Sequence, residues 1–326
     1  MLYLGIDLGG SHIGCGVVDA QGTILSNADA RTQPERPYQE VIRDMAACAM
    51  QALTLGGYAP KDIATIGIGI PGIADNETGM VIFCTNLGWT NVPLRDELQK
   101  YLNRPVYIEN DATVAGFAES VAGVSKNCVS SVFLTLGTGV GGGIVLNGRP
   151  WTGAHGVATE IGHITMEIDG IPCTCGKDGC LERYCSATAI IRMAREMCLA
   201  HPDCAIAQTV KGDLDNITAK TVIDLARGGD DIAIHLFHRY CRYLAIGINT
   251  IISFLDPEMV VLGGGVSHAG AFLLDTVRAK IPSLLMFKTM PYADIRLAEL
   301  GNDAGIIGSA MLARISFEGG QFARAD

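Results

Sequence analysis

The sequence predicts an α/β fold built from two related halves. Three observations carry this expectation. Strand-like runs alternate with helix-like periodicities along the chain, the rule that places a chain among α/β folds. Two strand, glycine-turn, strand units occur, one at the amino terminus and one after residue 128. Length and composition then fit real cores. The chain has 326 residues, 48 % of them apolar, and 40 glycines, which is room for about two domains with many tight turns.

The elements follow in order. Leu2 to Asp7 and Ile13 to Val18 flank Gly9-Gly10-Ser11, a glycine-tipped hairpin. From Tyr38 to Leu55, Val41, Ile42, Met45, Ala49, Ala52 and Leu53 recur at helical spacing, and Gly56-Gly57 ends the run. Ile63 to Ile70 is a strand stopped by Pro71-Gly72. Pro93 to Leu102 is a helix with Pro in its first turn, and Val106 to Glu109 is a strand. Asn110-Asp111 precedes a helix over Ala112 to Val121, closed by Gly123, which puts Asp111 at the N-cap. The pattern restarts with Val129 to Leu136, a turn of Gly and Thr, and Gly143 to Leu146. The rest is mainly helical: Ser186 to Ala200, Ala219 to Ala226, Asp231 to Leu255, Ala269 to Leu285 and Asp303 to Ile315. A strand, Met259 to Leu262, opens onto Gly263-Gly264-Gly265, and the tail after Ser316 reads as frayed.

Charge narrows the function. Lys plus Arg total 24 against 34 for Asp plus Glu, a balance of −10, so the basic footprint of a nucleic-acid binder is missing. No apolar run approaches the 18 or so residues that span a bilayer. Eleven cysteines without a basic-then-apolar leader fit reduced thiols better than a disulfide framework. The expectation is a cytoplasmic protein.

Gly137-Thr138-Gly139-Val140-Gly141-Gly142 satisfies G-x-G-x-x-G, but Ile144-Val145-Leu146 continues it as a strand where a dinucleotide fold needs a helix. No P-loop pattern is present. Glycines at a hairpin tip instead let successive backbone N–H groups face an anion, and phosphate is the natural guest. Asp7 stands inside an apolar strand before the first turn, where a carboxylate must be hydrated, hydrogen-bonded or beside a cation such as Mg²⁺. Ser11 and Thr138 are open to two readings, phosphate-binding hydroxyls or turn residues.

From Glu160 the chain reads Glu-Ile-Gly-His163, and after nine residues Cys173-Thr-Cys175-Gly-Lys-Asp-Gly-Cys180-Leu-Glu182. Cys₃His is a recognised closed set for structural Zn²⁺. Lys177, Asp178, Gly176 and Gly179 are surface-loop chemistry, and a loop with so little core gains most from metal ligation. The other eight cysteines show no ligand spacing and read as packing residues. Asp111 taken alone is a helix cap. With Asn86, Asn110, Glu160, His163 and Glu182 it belongs to a set of amides and carboxylates able to grip a polyol.

Asp7-Leu-Gly-Gly-Ser11, Pro71-Gly72, Asn86-Leu87, Glu109-Asn110-Asp111-Ala112, Leu136 to Gly142, Glu160-Ile-Gly-His163 and the Cys173 to Glu182 segment together resemble the ROK family of bacterial sugar kinases and sugar-responsive repressors. The resemblance runs from residue 3 to about 312, and the zinc segment is its most specific part. It implies the two-domain actin-like ATPase fold, ribonuclease-H-like units flanking a cleft, with residues 1–119 plus 302–326 as one domain and 120–301 as the other. The second carries a zinc loop at about 163–182.

It also implies roles. Asp111 is the general base. Asn110, Glu160, His163 and Glu182 hold the sugar, with Asn86 a further candidate. Asp7, Gly9, Gly10, Ser11, Gly137, Thr138 and Gly139 surround the phosphates of ATP with Mg²⁺, and Gly263, Gly264 and Gly265 lie against the nucleoside. His163, Cys173, Cys175 and Cys180 hold Zn²⁺, with the other imidazole nitrogen of His163 facing the sugar. The implied activity is transfer of phosphate from ATP to the 6-hydroxyl of a hexose, glucose first. N-acetylmannosamine, allose and fructose kinases of the family are the alternatives, and a homodimer is expected. The repressor branch carries a helix-turn-helix ahead of the first glycine loop, for which a loop starting at residue 7 leaves no room. An idle sugar-binding module would not need Asp111.

Overall fold

The computed structural model describes residues 1–319. Thirteen strands are described: β1 (Leu2–Leu8), β2 (His12–Val18), β3 (Ile24–Arg31), β4 (Ile63–Ile70), β5 (Ile73–Asp75), β6 (Met80–Cys84), β7 (Trp89–Val92), β8 (Val106–Asn110), β9 (Ser130–Leu136), β10 (Val140–Leu146), β11 (Arg149–Pro150), β12 (Met259–Gly263) and β13 (Asp294–Leu297). They form sheets ordered β3-β2-β1-β4-β8 and β11-β10-β9-β12-β13, with a small third sheet β5-β6-β7. Counted along each five-stranded sheet's own sequence, the order is third, second, first, fourth, fifth in both. The duplicated α/β architecture expected from the sequence is therefore present.

The first sheet is mixed. β1 pairs antiparallel with β2 and parallel with β4, and β4 pairs parallel with β8. β1 and β4 are buried almost throughout, as central strands covered on both faces must be, and so read as unbroken apolar runs. β3 alternates between exposed and covered positions, the pattern of a strand solvated on one side. That strand, the small sheet and β13 have too little unbroken apolar sequence to announce themselves.

The helices are α1 (Tyr38–Gly56), α2 (Leu94–Gln99), α3 (Asp111–Val121), α4 (Glu182–Cys185), α5 (Ala187–Ala200), α6 (Ala205–Thr209), α7 (Ala219–Arg227), α8 (Asp231–Leu255), α9 (Ala271–Arg278), α10 (Ile281–Leu284) and α11 (Ala304–Phe317). Three expectations need correction. The helix expected over Ala269 to Leu285 is a 3₁₀ turn at Gly265–Ala269 followed by α9 and α10, because Pro282 in the first turn of α10 starts a new helix. The helix expected from Pro93 to Leu102 ends at Gln99. The end expected to fray at Ser316 is helical to Phe317, and residues 320–326 of that tail lie outside the described residues.

The chain folds as two compact units. The first is Met1–Phe133, Gly143–Thr159 and residues 299–319; the second is Leu134–Gly142 and Glu160–Ala298. Residues 120–133 and 143–159 thus pack with the first unit, whereas the sequence reading assigns them to the second. In the first unit, α1 covers one side with Val41, Ile42, Met45, Ala49 and Leu53 against Leu4, Ile6, Ile66 and Ile68. On the other side Val114 and Phe117 of α3 cluster with Ile306, Ile307, Ala310 and Met311 of α11 and Tyr3. α11 reaches backbone distance of the sheet: a Cβ at Gly5 would overlap the carbonyl of Ile306, and one at Gly67 that of Ser309. Glycine is required there by close approach. In the second unit, α8 is capped by Asp230, which accepts from the Ala233 amide at 2.8 Å, and buries Leu236, Phe237, Tyr240, Leu244 and Ile248.

Candidate functional site

In the first unit the β1–β2 turn is rigidly held. The Gly9 amide donates to the His12 carbonyl at 2.8 Å, the Thr32 hydroxyl donates to the Gly9 carbonyl at 2.7 Å, and the Thr32 amide donates to the Ser11 carbonyl at 3.2 Å. Thr32 is fully buried, so the loop is anchored from beneath while Ser11 stays exposed. Asp7, at the end of β1, lies against Gly305 in the first turn of α11 with no room for a Cβ there. Burial pushes its carboxyl up to about 6, with His12 pulling weakly the other way. A carboxylate so uncomfortable as a bare anion is the chemistry expected of a partner for Mg²⁺ or its water shell. Gly10 faces Asn86, whose Cβ is 3.3 Å from where a Gly10 Cβ would stand.

The β8–α3 junction corrects the reading of Asp111. The N-cap is Asn110: its Oδ1 accepts from the Ala112 amide at 3.0 Å and the Thr113 amide at 3.2 Å, while its Nδ2 donates to the Gly72 carbonyl at 3.2 Å. Asp111 is the first helical residue, with Oδ1 accepting from the Ala112 amide at 2.8 Å. The N-cap is thus the neighbour, and Asp111 shares the Ala112 amide with it. An anion in the first turn also sits favourably at the helix N-terminus. Asn110 is anchored by both ends of its amide, which fixes its orientation.

In the second unit the Gly137–Gly139 turn is tied to the helices behind it. The Ala187 amide donates to the Gly137 carbonyl at 2.8 Å and the Thr188 hydroxyl to the Thr138 carbonyl at 2.8 Å. Glu182 Oε2 accepts from the Val140 amide at 3.0 Å, and its carboxylate fills the space a Gly139 Cβ would take. The Glu160–His163 turn packs on the same loop, since a Cβ at Gly162 would overlap the Val140 carbonyl. Gly264, at φ +80°, would meet the Leu136 amide nitrogen at 2.6 Å with a Cβ, so the turn after β12 lies directly on the strand leading into this loop. Gly265 faces open space. Within this unit Gly137, Thr138, Gly139, Gly264, Glu160, His163 and Glu182 are therefore gathered around one hairpin.

The Cys/His set is also assembled. One donor atom from each of His163, Cys173, Cys175 and Cys180 lies within 4.8 Å of the others. Cys173 Sγ is 3.7 Å from His163 Nδ1 and Cys175 Sγ is 3.6 Å from Cys180 Sγ. Zinc bonds of about 2.3 Å to sulfur and 2.0–2.1 Å to nitrogen, set tetrahedrally, require edges of roughly 3.8 Å for S···S and 3.6 Å for S···N. The donor set fits zinc in kind and in spacing. Gly179, at φ +71°, lets the loop press against the Glu167 backbone. Lys177 Nζ donates to the His163 carbonyl at 2.6 Å. With Nδ1 turned to the thiols, His163 Nε2 points outward and stands 3.7 Å from Glu160 Oε2.

Several residues here escape sequence reasoning. Glu109 is buried and takes the Asn110 amide on Oε1 and Asn76 Nδ2 on Oε2, both at 2.8 Å; burial raises its carboxyl above the ordinary range. In the sequence it stands within the Glu109-Asn110-Asp111-Ala112 motif with no role of its own. Thr32 and Thr188 act through hydroxyls on loop carbonyls, which no spacing rule reveals.

The ROK family profile matches residues 3–315. The chain is 37 % identical to a glucokinase of Thermotoga maritima over 310 residues, covering 95 % of this chain and 96 % of that protein. It is 35 % identical to a glucokinase of Halalkalibacterium halodurans over 316 residues, covering 96 % and 94 %. A crystal structure of a ROK family glucokinase from Streptomyces griseus in complex with glucose and AMPPNP superposes with a TM-score of 0.82 at 35 % identity, covering 96 % of this chain and 99 % of that one.

Proposed function

The chain belongs to the ROK family, and we propose from that membership and the chemistry above that it is a glucokinase, moving the terminal phosphoryl group of ATP to the 6-hydroxyl of glucose. Its fold is the actin-like ATPase fold of such kinases. The observation that carries the reading is the β8–α3 junction, where Asn110 caps the helix and an aspartate stands first in it at 111, in a chain similar to glucokinases over almost its full length.

Phosphoryl transfer passes through a loose transition state, so the protein's share is positioning and charge neutralisation. Asp111 accepts the proton of the acceptor hydroxyl as its bond to phosphorus forms. Asn110, Glu160, His163 and Glu182 bind the hexose hydroxyls, with Asn86 beside the first glycine loop. The turns carrying Gly9, Gly10, Gly137 and Gly139, closed on themselves by the Gly9 and Gly137 amides, surround the ATP phosphates together with the hydroxyls of Ser11 and Thr138, and Gly263, Gly264 and Gly265 form the nucleoside side. Asp7 would meet the Mg²⁺ that accompanies ATP, or its water shell, and the ion would supply neutralisation of phosphate charge when bound. Cys173, Cys175, Cys180 and His163 Nδ1 would hold zinc, and the ion when bound would fix the tautomer and aim of the imidazole, with Nε2 left for the sugar.

Among the described residues no helix is long and apolar enough to cross a membrane. The eleven cysteines stand outside any disulfide, which favours a reducing, cytoplasmic setting, and the active form proposed is a homodimer. An ADP-release assay over glucose, mannose, fructose, allose and N-acetylmannosamine tests the substrate. Glucose is expected to give the highest kcat/KM, and a clear preference for another sugar overturns the choice.

A further inference from the structure

We propose that Asn76, on the turn between β5 and β6, is a positioning residue for the transfer step: acting through Glu109, it sets the β8–α3 junction from which Asp111 works. The inference rests on Asp111 being the general base.

The small sheet is tied to that junction in three places. Arg95 of α2 donates to the carbonyls of Val106 at 2.9 Å, Glu77 at 2.8 Å and Asn76 at 2.7 Å, so one guanidinium joins β8 to the hairpin tip. Asn110 Nδ2 reaches the Gly72 carbonyl just before β5. Asn76 Nδ2 donates to Glu109 Oε2, and Glu109 Oε1 takes the Asn110 amide. The third tie differs from the others. Arg95 holds the hairpin's backbone carbonyls, and Asp75 closes the turn by accepting from the Glu77 and Thr78 amides and the Thr78 hydroxyl. The turn therefore keeps its shape without the Asn76 amide, whose Nδ2 bond serves Glu109.

Glu109 in turn has a local task. It is 5 % exposed, and its carboxylate fixes the peptide entering Asn110, the residue whose φ of −62° and ψ of 141° start α3. Rotation of that peptide swings the Asp111 Cα directly, and a misplacement of about 1 Å costs on the order of 10²-fold in rate. The same small sheet carries Asn86 in the 3₁₀ turn Thr85–Leu87, between β6 and β7. The element that presents Asn86 thus also steadies the residue next to the base. Asn76 Oδ1 is buried with no partner, so the amide can present either face to position 109.

That spare oxygen makes the test sharp. In Asn76→Asp two carboxylates meet in a buried place, and kcat at saturating glucose and ATP is expected to fall about 10²-fold, with KM for ATP within twofold. Glu109→Gln alone should stay within about threefold of wild type, since the Asn76 amide can turn its Oδ1 to the new donor while Gln Oε1 keeps the Asn110 amide. The double variant Asn76→Asp with Glu109→Gln restores the donor–acceptor match and should recover kcat to within about threefold. A merely structural role would change melting without this reciprocal recovery of kcat. Unchanged kcat in Asn76→Asp, or a double variant as slow as that single one, overturns the proposal. If Asn76→Asp does not fold, Asn76→Ala replaces it, and unaltered turnover there overturns the proposal equally. Asp111→Asn is assayed alongside: retained turnover in it defeats the general-base reading, whereas an inactive Asp111→Asn beside a fully active Asn76→Asp defeats only the role of Asn76.

Discussion

Replacing Asp7 by Asn should make the ligand-free protein more stable at neutral pH while weakening its catalysis. The side chain is nearly buried against the first turn of α11, and its carboxyl is raised from 3.8 to about 6. A carboxyl that holds its proton more tightly when folded gives stability that is full below pH 3.8 and is lost as pH rises through 6. The difference of about 2.2 pH units, at 1.36 kcal/mol each, is about 3 kcal/mol. The N-terminus of α11 offsets about 0.5–1 kcal/mol of that by favouring the anion, which leaves about 2 kcal/mol. Urea unfolding of both proteins from pH 4 to 7.5, with chelator and no nucleotide, should show Asp7→Asn gaining on wild type by that amount across the window. The difference between the two proteins isolates Asp7 from other groups, Glu109 included. Curves that run parallel would refute the burial argument, and a gap that widens toward acid would reverse its sign.

Asp111→Asn should fold and keep its zinc but lose about 10²–10⁴ in kcat, checked by ADP release on the purified variant. Cys175→Ser should lower zinc content by elemental analysis and raise KM for glucose, because the His163 Nδ1 anchor loosens; unchanged stoichiometry refutes the ligand set. Glu119 is fully buried and accepts the Glu299, Leu300 and Val124 amides, each at 2.9 Å. Glu119→Gln must set an NH₂ against one of these donors and should cost about 2–4 kcal/mol of unfolding free energy, and a loss under about 0.5 kcal/mol would show the triple bond to be idle.

Much of the fold was legible because its central strands are buried on both faces. β1 and β4 read as strands from composition alone, and α1 and α8 from periodicity. Edge elements were not, since β3 and the small sheet alternate or mix polar residues and owe their pairing to neighbours distant in sequence. The Cys/His cluster was legible because three cysteines and a histidine sit close along the chain, where spacing nearly equals geometry. The proposal of Asp111 as general base comes from the family resemblance, while the cap of its helix was misassigned by one residue: Asn and Asp are equally good N-caps, and only the backbone angles decide between 110 and 111. Asn76 and Glu119 stayed hidden because Asn76 meets Glu109 and Glu119 meets the Glu299 and Leu300 amides far along the chain, and Glu109 stood in the Glu109-Asn110-Asp111-Ala112 motif without a role.

The seat of α11 on Gly5 and Gly67 has a consequence for how the protein is made. Strands β1 and β4 emerge from the ribosome early, while the helix that covers their glycine lane comes from residues 304–317. Until those residues are synthesised, that side of the first sheet is covered only in part, by α3, and the lane at Gly5 and Gly67 stays open. A nascent chain in that state shows apolar surface for most of its translation, the condition in which chaperone capture or aggregation competes with folding. Completion of the first unit is thus a late, long-range event, and stalling translation before residue 304 should leave a chain that is protease-sensitive in its earliest strands.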